Sequence, residues 1–338
     1  MKTRIAINGF GRIGRNAFKV AFDRTDLEVV AINDLADNAT LAHLLAHDSN
    51  YGKYDKKVGH DAKGLIIDGK HIQVLEEKDP ANLPWKELKI DVVIEATGLF
   101  TKKEGAELHL KAGAKRVVIS APTKSPDLET VVLGVNEDKL EKTGEIVSNA
   151  SCTTNSIAMV MSILDEAFGV DKAMLTTVHS YTASQRLQDA PAKDLREARN
   201  AAENIVPTTT GAAIAVGLTL PQLKDRFDGL SIRVPTPVVS ISDVTAVLKR
   251  DTTKDEINEV FKKAAKEPYY QGILGVSEEP LVSSDYVGNS HSGIVDLLLT
   301  NVVDGNLAKV VVWYDNEWGY SNRLVEVVAD VGKLLHNK

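Results

Sequence analysis

The first 34 residues constrain the fold more than any other stretch. Arg4-Ile5-Ala6-Ile7 is a short, strand-like run that stops at Asn8-Gly9. Gly9-Phe10-Gly11-Arg12-Ile13-Gly14 follows, a G-x-G-x-x-G pattern. Ile13, Ala17, Val20 and Ala21 then recur near a 3.6-residue period, which predicts a helix. Leu27 to Ile32 reads as a second strand ending in Asn33-Asp34. Strand, glycine turn, helix, strand and an acid about 20 residues after the last glycine form the full context of a dinucleotide-binding βαβ unit. Each residue has a physical job there. Gly9 permits the tight turn, Gly11 lets backbone approach a pyrophosphate, and Gly14 allows close helix–strand packing. The helix N-terminus turns N–H groups and a positive dipole end toward phosphate. Asp34 can accept from both adenosine ribose hydroxyls and would repel a 2′-phosphate, so NAD is expected rather than NADP. A glycine-rich turn without ligand and a surface aspartate is the plainer alternative. The complete context argues against it.

The alternation continues. Ile90 to Ala96 predicts a buried strand ending in Thr97-Gly98. Lys103 to Ala112 predicts a helix, Arg116 to Ser120 another strand, and Val131-Val132-Leu133 a further one. Ligands of open parallel sheets bind beyond the carboxyl ends of the strands. Asn8-Gly9, Asn33-Asp34, Thr97, Gly98 and Ser120 are therefore candidate cofactor contacts.

Cys152 is the only cysteine in 338 residues, and its neighbours in SNASCTTN (148–155) are small and polar rather than aliphatic. Asn155 to Phe168 predicts a helix, with Cys152 just before it and Ser151, Thr153 and Thr154 as natural caps. A thiol at a helix N-terminus is expected to have a lowered pKa and to act as a nucleophile. A buried, inert cysteine is the alternative, and the polar setting leans against it. Of eight histidines, His179 stands out. It ends the strand-like run Leu175 to Val178 and enters the polar stretch Ser180-Tyr181-Thr182, where a general base belongs. A hydrogen-bonded structural histidine is an equal reading on sequence alone. His109 falls on a helical segment without chemical context.

A long polar loop is expected over 180–206, a length that usually marks function or an interface. Period-2 runs at 230–235, 239–248, 295–300 and 310–314 predict a largely antiparallel, mixed sheet with helices. Arg233 in the first of these could pair with surface carboxylates or hold a phosphate. Residues 317–338 predict a terminal helix. The fold class expected is thus α/β: an N-terminal Rossmann dinucleotide-binding domain over 1–151, joined by the helix 317–338, and an α+β catalytic domain over 152–316.

Bulk properties narrow the function classes. A net charge of −7 argues against a nucleic-acid partner held by phosphate neutralisation. One cysteine excludes an intramolecular disulfide and a cysteine metal cluster, and no His-Glu-x-x-His occurs, so no metal is expected. The opening MKTRIAINGF breaks its apolar run at Asn8-Gly9, and no segment approaches the ~20 apolar residues of a membrane span. A cytoplasmic protein is expected.

NGFGRIGR (8–15), SNASCTTN (148–155), HSYT (179–182), PTTTGAA (207–213), RVPTP (233–237) and WYDNEWGYSNR (313–323) together resemble the phosphorylating glyceraldehyde-3-phosphate dehydrogenase family, in order and spacing over essentially the whole chain. The resemblance implies a homotetramer acting in glycolysis on glyceraldehyde 3-phosphate, NAD and inorganic phosphate. Cys152 would attack the aldehyde, with His179 as base, giving a hemithioacetal, then a thioester that phosphate resolves to 1,3-bisphosphoglycerate. It further implies that Arg12 and Ile13 meet the pyrophosphate, Asp34 the ribose and Lys78 the adenine side. Phe10 belongs to the glycine loop, Ser120 contacts cofactor, and Asn316 holds the carboxamide. Thr182 and Arg233 would bind the substrate phosphate; Ser151, Thr153, Thr210 and Gly211 would receive the attacking phosphate.

Some positions depart from the commoner family pattern. Ser184 and Ala183 replace Asp and Asn, and Ser156 stands where a second cysteine is frequent. Glu197 replaces the second residue of an Arg-Arg pair associated with the phosphate sites, which bears directly on inorganic-phosphate affinity. Leu35 and Pro191 match NAD-using members. The nearest rival is an erythrose-4-phosphate dehydrogenase, whose thioester goes to water. A binding or surface protein would need an export signal or adhesive repeat, and neither is evident. A cysteine hydrolase would need no G-x-G-x-x-G and no Asp34.

Overall fold

The computed structural model describes residues 2–336; Met1 and residues 337–338, which fall within the expected first domain and terminal helix, lie outside it. The chain divides into two compact units. One comprises Met1–Val131, Glu137–Ala150 and Ser321–Lys338, the other Val132–Asn136 and Ser151–Tyr320.

The first unit is built on an eight-stranded sheet. In spatial order its strands are Ile146–Ser148, Arg116–Ile119, Val92–Glu95, Thr3–Asn8, Leu27–Asn33, Lys70–Leu75, Gly64–Ile67 and Val58–Asp61. The first six pair in parallel, and the last two fold back antiparallel. Val92–Glu95 is buried throughout because both faces of a parallel sheet are covered. The chain order reverses between Thr3–Asn8 and Val92–Glu95, the place where an open α/β sheet leaves a crevice.

Helix Arg12–Phe22 begins at once after the first strand. Gly9 makes that possible: it has φ +92°, and a Cβ there would sit 2.7 Å from Thr97 N. A Cβ on Gly14 would lie 2.0 Å from the Gly9 carbonyl oxygen, so only glycine lets the helix pack this closely. Helix Lys103–Lys111 follows the third central strand.

Residues 131–133 do not form the expected strand. Thr130 makes an isolated parallel bridge to Ser148. The chain then turns: Val135 N and Asn136 N both donate to Val132 O, and Gly134 takes φ +79°. The Asn136 side chain accepts from Val132 N and closes the turn. Ile146–Ser148 takes the edge position instead.

The second unit carries a mixed sheet ordered Val206–Thr209, Phe227–Val234, Val170–Ser180, Ser240–Leu248, Leu307–Tyr314, Gly293–Asp296, Leu274–Ser277, with Asn301–Val303 pairing on Leu307–Tyr314. Most neighbours are antiparallel. Val170–Ser180 with Phe227–Val234, and Leu274–Ser277 with Gly293–Asp296, are parallel. Ser240–Leu248 alternates strictly between buried and half-buried residues. Helix Cys152–Phe168 starts three residues earlier than its apolar period suggested, because Ser151 caps it. Ser151 accordingly belongs to the second unit. The terminal helix Trp318–His336 also crosses the division: Gly319 abuts the His291 carbonyl in the second unit, whereas Gly332 abuts Thr3 in the first.

Candidate active site

In the first unit, the crevice at the chain reversal is a cavity of ≈ 360 Å³. Asn8, Gly9, Gly11, Asn33, Asp34, Lys78 and Thr97 line it, so three of the strand ends singled out from the sequence converge there, while Gly98 and Ser120 are not among its lining residues. Asp34 is fixed at both oxygens: Oδ2 accepts from Phe10 N at 2.7 Å and Oδ1 from Ala36 N at 3.0 Å. Leu35 lies beside it, 57% exposed.

The cavity suits a dinucleotide. Helix Arg12–Phe22 has Gly11 as N-cap and no side-chain cap, and a Cβ built on Gly11 would meet nothing within 4 Å. An open cradle at an uncapped helix start is where phosphate binds. Ser120 Oγ is buried without a hydrogen-bond partner.

Other expected contacts sit differently. Phe10 is buried against Phe18, and only its N–H serves the site, by holding Asp34. The Arg12 guanidinium is paired with Asp48 at 2.7 Å rather than extended over the glycine loop. Ile13 is half-buried on the first helical turn. Gly98, with φ +73°, makes the turn after Thr97.

In the second unit, Cys152 is the first residue of helix Cys152–Phe168. Ser151 Oγ accepts from Thr154 N at 3.0 Å, an N-cap that fixes the helix start and hence the thiol. Cys152 Sγ lies 3.5 Å from His179 Nε2. His179 occupies the penultimate position of Val170–Ser180, directly opposite Arg233 in the parallel register. Its Nδ1 is 2.7 Å from Ser180 O and 2.5 Å from Arg233 Nη1.

These two contacts select opposite tautomers. If Nδ1–H donates to Ser180 O, Nε2 faces the thiol as an acceptor and can take its proton. If Arg233 donates to Nδ1, Nε2–H faces the sulfur and can stabilise a thiolate.

The lowered thiol pKa expected from the helix start does not hold for the resting site. Burial pushes the Cys152 thiol up, against the pull of the Arg233 charge and the Thr153 hydrogen bond. Burial and, after it, Arg233 lower His179 to about 3. The resting pair is therefore a neutral thiol beside a neutral imidazole. A dipole of half a charge is outweighed by loss of water around both groups. The Cys152 residue is nonetheless only partly buried and open to reactants.

The expected phosphate residues take these places. Thr182 is half-buried, with Oγ1 3.0 Å from Ser184 Oγ. Thr210 Oγ1 accepts from Ala212 N at the start of helix Ala212–Thr219, whose N-cap Gly211 has open space around it and no side-chain cap. Thr153 Oγ1 is engaged 2.9 Å from Tyr314 OH. Asn316 is buried, and its Oδ1 accepts from Ser240 Oγ at 3.1 Å. Glu197 Oε1 accepts from Thr208 Oγ1 at 3.0 Å, which places its carboxylate on the strand leading to Thr210.

Sequence reasoning missed Tyr314 and Thr177. Tyr314 OH is 2.8 Å from Thr177 Oγ1 and bridges it to Thr153, while the ring packs edge-on to His179 at 6.0 Å. Burial raises the Tyr314 hydroxyl well above its usual range, so it stays a neutral donor. Only the register of strands 170–180, 240–248 and 307–314 brings these residues together. No group of His, Cys, Asp and Glu among the described residues is arranged to hold a metal ion, and no helix among them is long and apolar enough to cross a membrane.

A parallel sheet with a glycine cradle, and a separate unit holding a thiol against an imidazole, define a nucleotide-dependent enzyme equipped with a cysteine–histidine pair. Residues 3–103 match the NAD binding domain of glyceraldehyde 3-phosphate dehydrogenase and residues 151–316 its C-terminal domain. The chain is 53% identical over 337 residues to glyceraldehyde-3-phosphate dehydrogenase 2 of Streptomyces avermitilis, covering 99% of this chain and 100% of that one. It is 54% identical over 330 residues to glyceraldehyde-3-phosphate dehydrogenase of Geobacillus stearothermophilus, covering 97% and 98%. To glyceraldehyde-3-phosphate dehydrogenase 1 of Bacillus subtilis it is 52% identical over 334 residues, covering 98% and 99%. The chain belongs to the glyceraldehyde 3-phosphate dehydrogenase family and is an NAD-dependent oxidoreductase. The erythrose-4-phosphate alternative is not favoured.

Proposed function

We propose that this protein oxidises D-glyceraldehyde 3-phosphate to 1,3-bisphosphoglycerate in glycolysis, with NAD and inorganic phosphate as co-substrates. The observation that carries this reading is the 3.5 Å approach of Cys152 Sγ to His179 Nε2 at a capped helix start. His179 takes the thiol proton as sulfur attacks the aldehyde carbon, and the imidazolium Nε2–H then steadies the hemithioacetal oxyanion. NAD, when bound, supplies the hydride acceptor. As hydride leaves, the C–O bond regains double-bond character and a thioester remains on Cys152. A phosphate oxygen then attacks that carbon, the C–S bond breaks, and Cys152 leaves as thiolate. Arg233 and Thr182 hold the substrate's own phosphate; Ser151, Thr153, Thr210 and Gly211 receive the incoming one.

In this reading the cofactor residues are Gly9, Phe10, Gly11, Arg12, Ile13, Gly14, Asp34, Lys78, Thr97, Gly98, Ser120 and Asn316. Residues 1–151 with the terminal helix carry cofactor binding, and 152–316 carry catalysis. The protein works in the cytoplasm as a homotetramer. Met174 and Leu230, 61% and 44% exposed on adjacent strands of the second sheet, supply the apolar surface such an assembly covers; sedimentation equilibrium measures its state.

The deciding experiment follows NADH formation from glyceraldehyde 3-phosphate and NAD, with and without inorganic phosphate. Sustained turnover that requires phosphate is expected. Equally fast turnover without it would mean that water resolves the thioester and would overturn the phosphorylating reading.

A further inference from the structure

In the first unit, one buried carboxylate stands between two cations. Asp48 follows helix Asn38–Ala46, and its side chain is 1% exposed. Its Oδ1 accepts from Asn50 N at 2.9 Å and from Tyr51 N at 3.2 Å. Its Oδ2 accepts from Arg12 Nη1 at 2.7 Å, and Lys19 Nζ stands 3.8 Å from the same oxygen. Each cation also lies over an aromatic face. The Arg12 guanidinium is 5.7 Å from the centre of the Tyr51 ring, and the Lys19 ammonium is 5.3 Å from that of Tyr54. The two cations are placed differently. Arg12 is the first residue of helix Arg12–Phe22, directly after the uncapped Gly11 of the cavity wall, and its side chain is 32% exposed. Lys19 lies further along the same helix and is buried.

Asp48 is ionised. Burial raises its carboxyl, but the hydrogen bonds from Arg12, Asn50 and Tyr51 and the Arg12 charge outweigh burial and hold it below the usual carboxylate range. Burial lowers the Lys19 ammonium from its ordinary 10.5; Asp48 raises it, and the Arg12 and Arg15 charges lower it further. A phosphate attracts a guanidinium as a carboxylate does. Arg12 therefore serves two anions, Asp48 at rest and a pyrophosphate in the cradle. A buried carboxylate that loses its cation without replacement is strongly destabilising. Lys19 supplies the replacement. It already faces the same oxygen, and the departure of Arg12 removes one of the charges that lower it.

We propose that Arg12 passes from Asp48 to the cofactor's pyrophosphate, and that Lys19 is the positioning residue that takes its place on Asp48. The inference rests on reading the cradle as the cofactor site and Arg12 as a pyrophosphate contact. It makes NAD affinity depend on a lysine that does not touch the cofactor.

The test measures the NAD dissociation constant by calorimetry without substrate. Lys19→Met keeps an unbranched stem and removes the charge, so Arg12 stays on Asp48; the constant should rise about tenfold. Asp48→Asn keeps Oδ1 for the backbone N–H groups and releases Arg12; the constant should fall about threefold. In the double variant Lys19→Met/Asp48→Asn no anion is left to strand, and affinity should return to at least the wild-type value. Charges acting on the cofactor only through space would also give the first two shifts. They would, however, keep the Lys19→Met loss in the double variant, and keep the Asp48→Asn gain when Arg12→Met is added. Either result, or weaker binding in Asp48→Asn, would overturn the proposal. If Lys19→Met does not fold, Asp48→Asn with and without Arg12→Met decides: a gain only while Arg12 is present supports the exchange, and a gain in both or in neither overturns it. Should the folded wild type bind no NAD, the cofactor reading itself fails, and this proposal with it.

Discussion

Each unit places its chemistry at the start of a helix, and the two starts are built in opposite ways. Helix Arg12–Phe22 opens at Gly11 with no side-chain cap, beside a cavity. Helix Cys152–Phe168 opens at Ser151, whose hydroxyl satisfies Thr154 N. The first arrangement turns backbone N–H groups toward a ligand, so the sequence must clear space there, and glycine does so. The second uses the N-terminal turn to fix a side chain, so the sequence supplies hydroxyls and one thiol. A helix N-terminus is therefore not one device. What occupies the cap position determines whether it receives an anion or presents a nucleophile.

The largest expected effect breaks the second start. Cys152→Ser should reduce turnover by on the order of 10⁴-fold or more, while NAD affinity, set by the other helix, stays unchanged. NADH formation and calorimetric titration check the two halves, and substantial residual turnover would remove Cys152 from its role. Next come substitutions at the first start. Gly11→Val has open space around its Cβ, so the fold should survive while NAD affinity falls about tenfold or more as the cradle fills. Gly14→Ala would press on the Gly9 carbonyl and should destabilise the protein by about 1–3 kcal/mol. Thermal melts distinguish the two: an unfolded Gly11→Val or an unaffected Gly14→Ala would contradict these assignments.

His179 sharpens the comparison through pH. Its folded pKa is depressed from 6.5 to about 3. The unfolded chain therefore takes up a proton at this residue before the folded one does. Stability present above pH 6.5 is lost as pH falls toward about 3. His179→Asn should flatten that part of the stability–pH profile, followed by denaturant unfolding. The same variant should slow Cys152 alkylation near neutral pH by about tenfold or more, since the raised thiol loses its base; an unchanged rate would mean that the pair is not coupled. The smallest effect concerns Glu197. Replacing it by Arg removes a carboxylate bound to Thr208 and should lower the apparent KM for inorganic phosphate by about two- to fivefold. No change would mean that Arg196 or Arg199 already fills the role.

Much of the first unit is legible in the sequence because its signals are local. Strand, glycine turn, helix and Asp34 follow one another within 34 residues, and backbone geometry dictates each step. The false strand at 131–133 shows the limit. Three apolar residues satisfy a strand pattern, but Gly134 and Asn136 close a turn that makes a bridge rather than a ladder. The second unit is less legible, since its contacts span long separations. Cys152 and His179 were chosen singly, by polar neighbours and by a strand end. Tyr314 stands in a family motif, but nothing along the chain shows its contact with Thr153, 161 positions away. His109 read as a featureless helical residue, yet it is buried against Glu95 and Trp85, 14 and 24 positions away.

The sequence by itself determined what depends on neighbours along the chain: the glycine cradle, the acid after the second strand, the capped thiol and the alternation that yields a parallel sheet. Family motifs spread along the chain added the class of reaction. Tertiary structure alone decided what depends on packing and solvent. It set the resting protonation of Cys152 and His179, where loss of water outweighs a helix dipole. It also set the two tautomers offered to His179 by Ser180 and Arg233. Burial and hydrogen-bond partners are properties of a folded neighbourhood, and residues far apart in the chain create them.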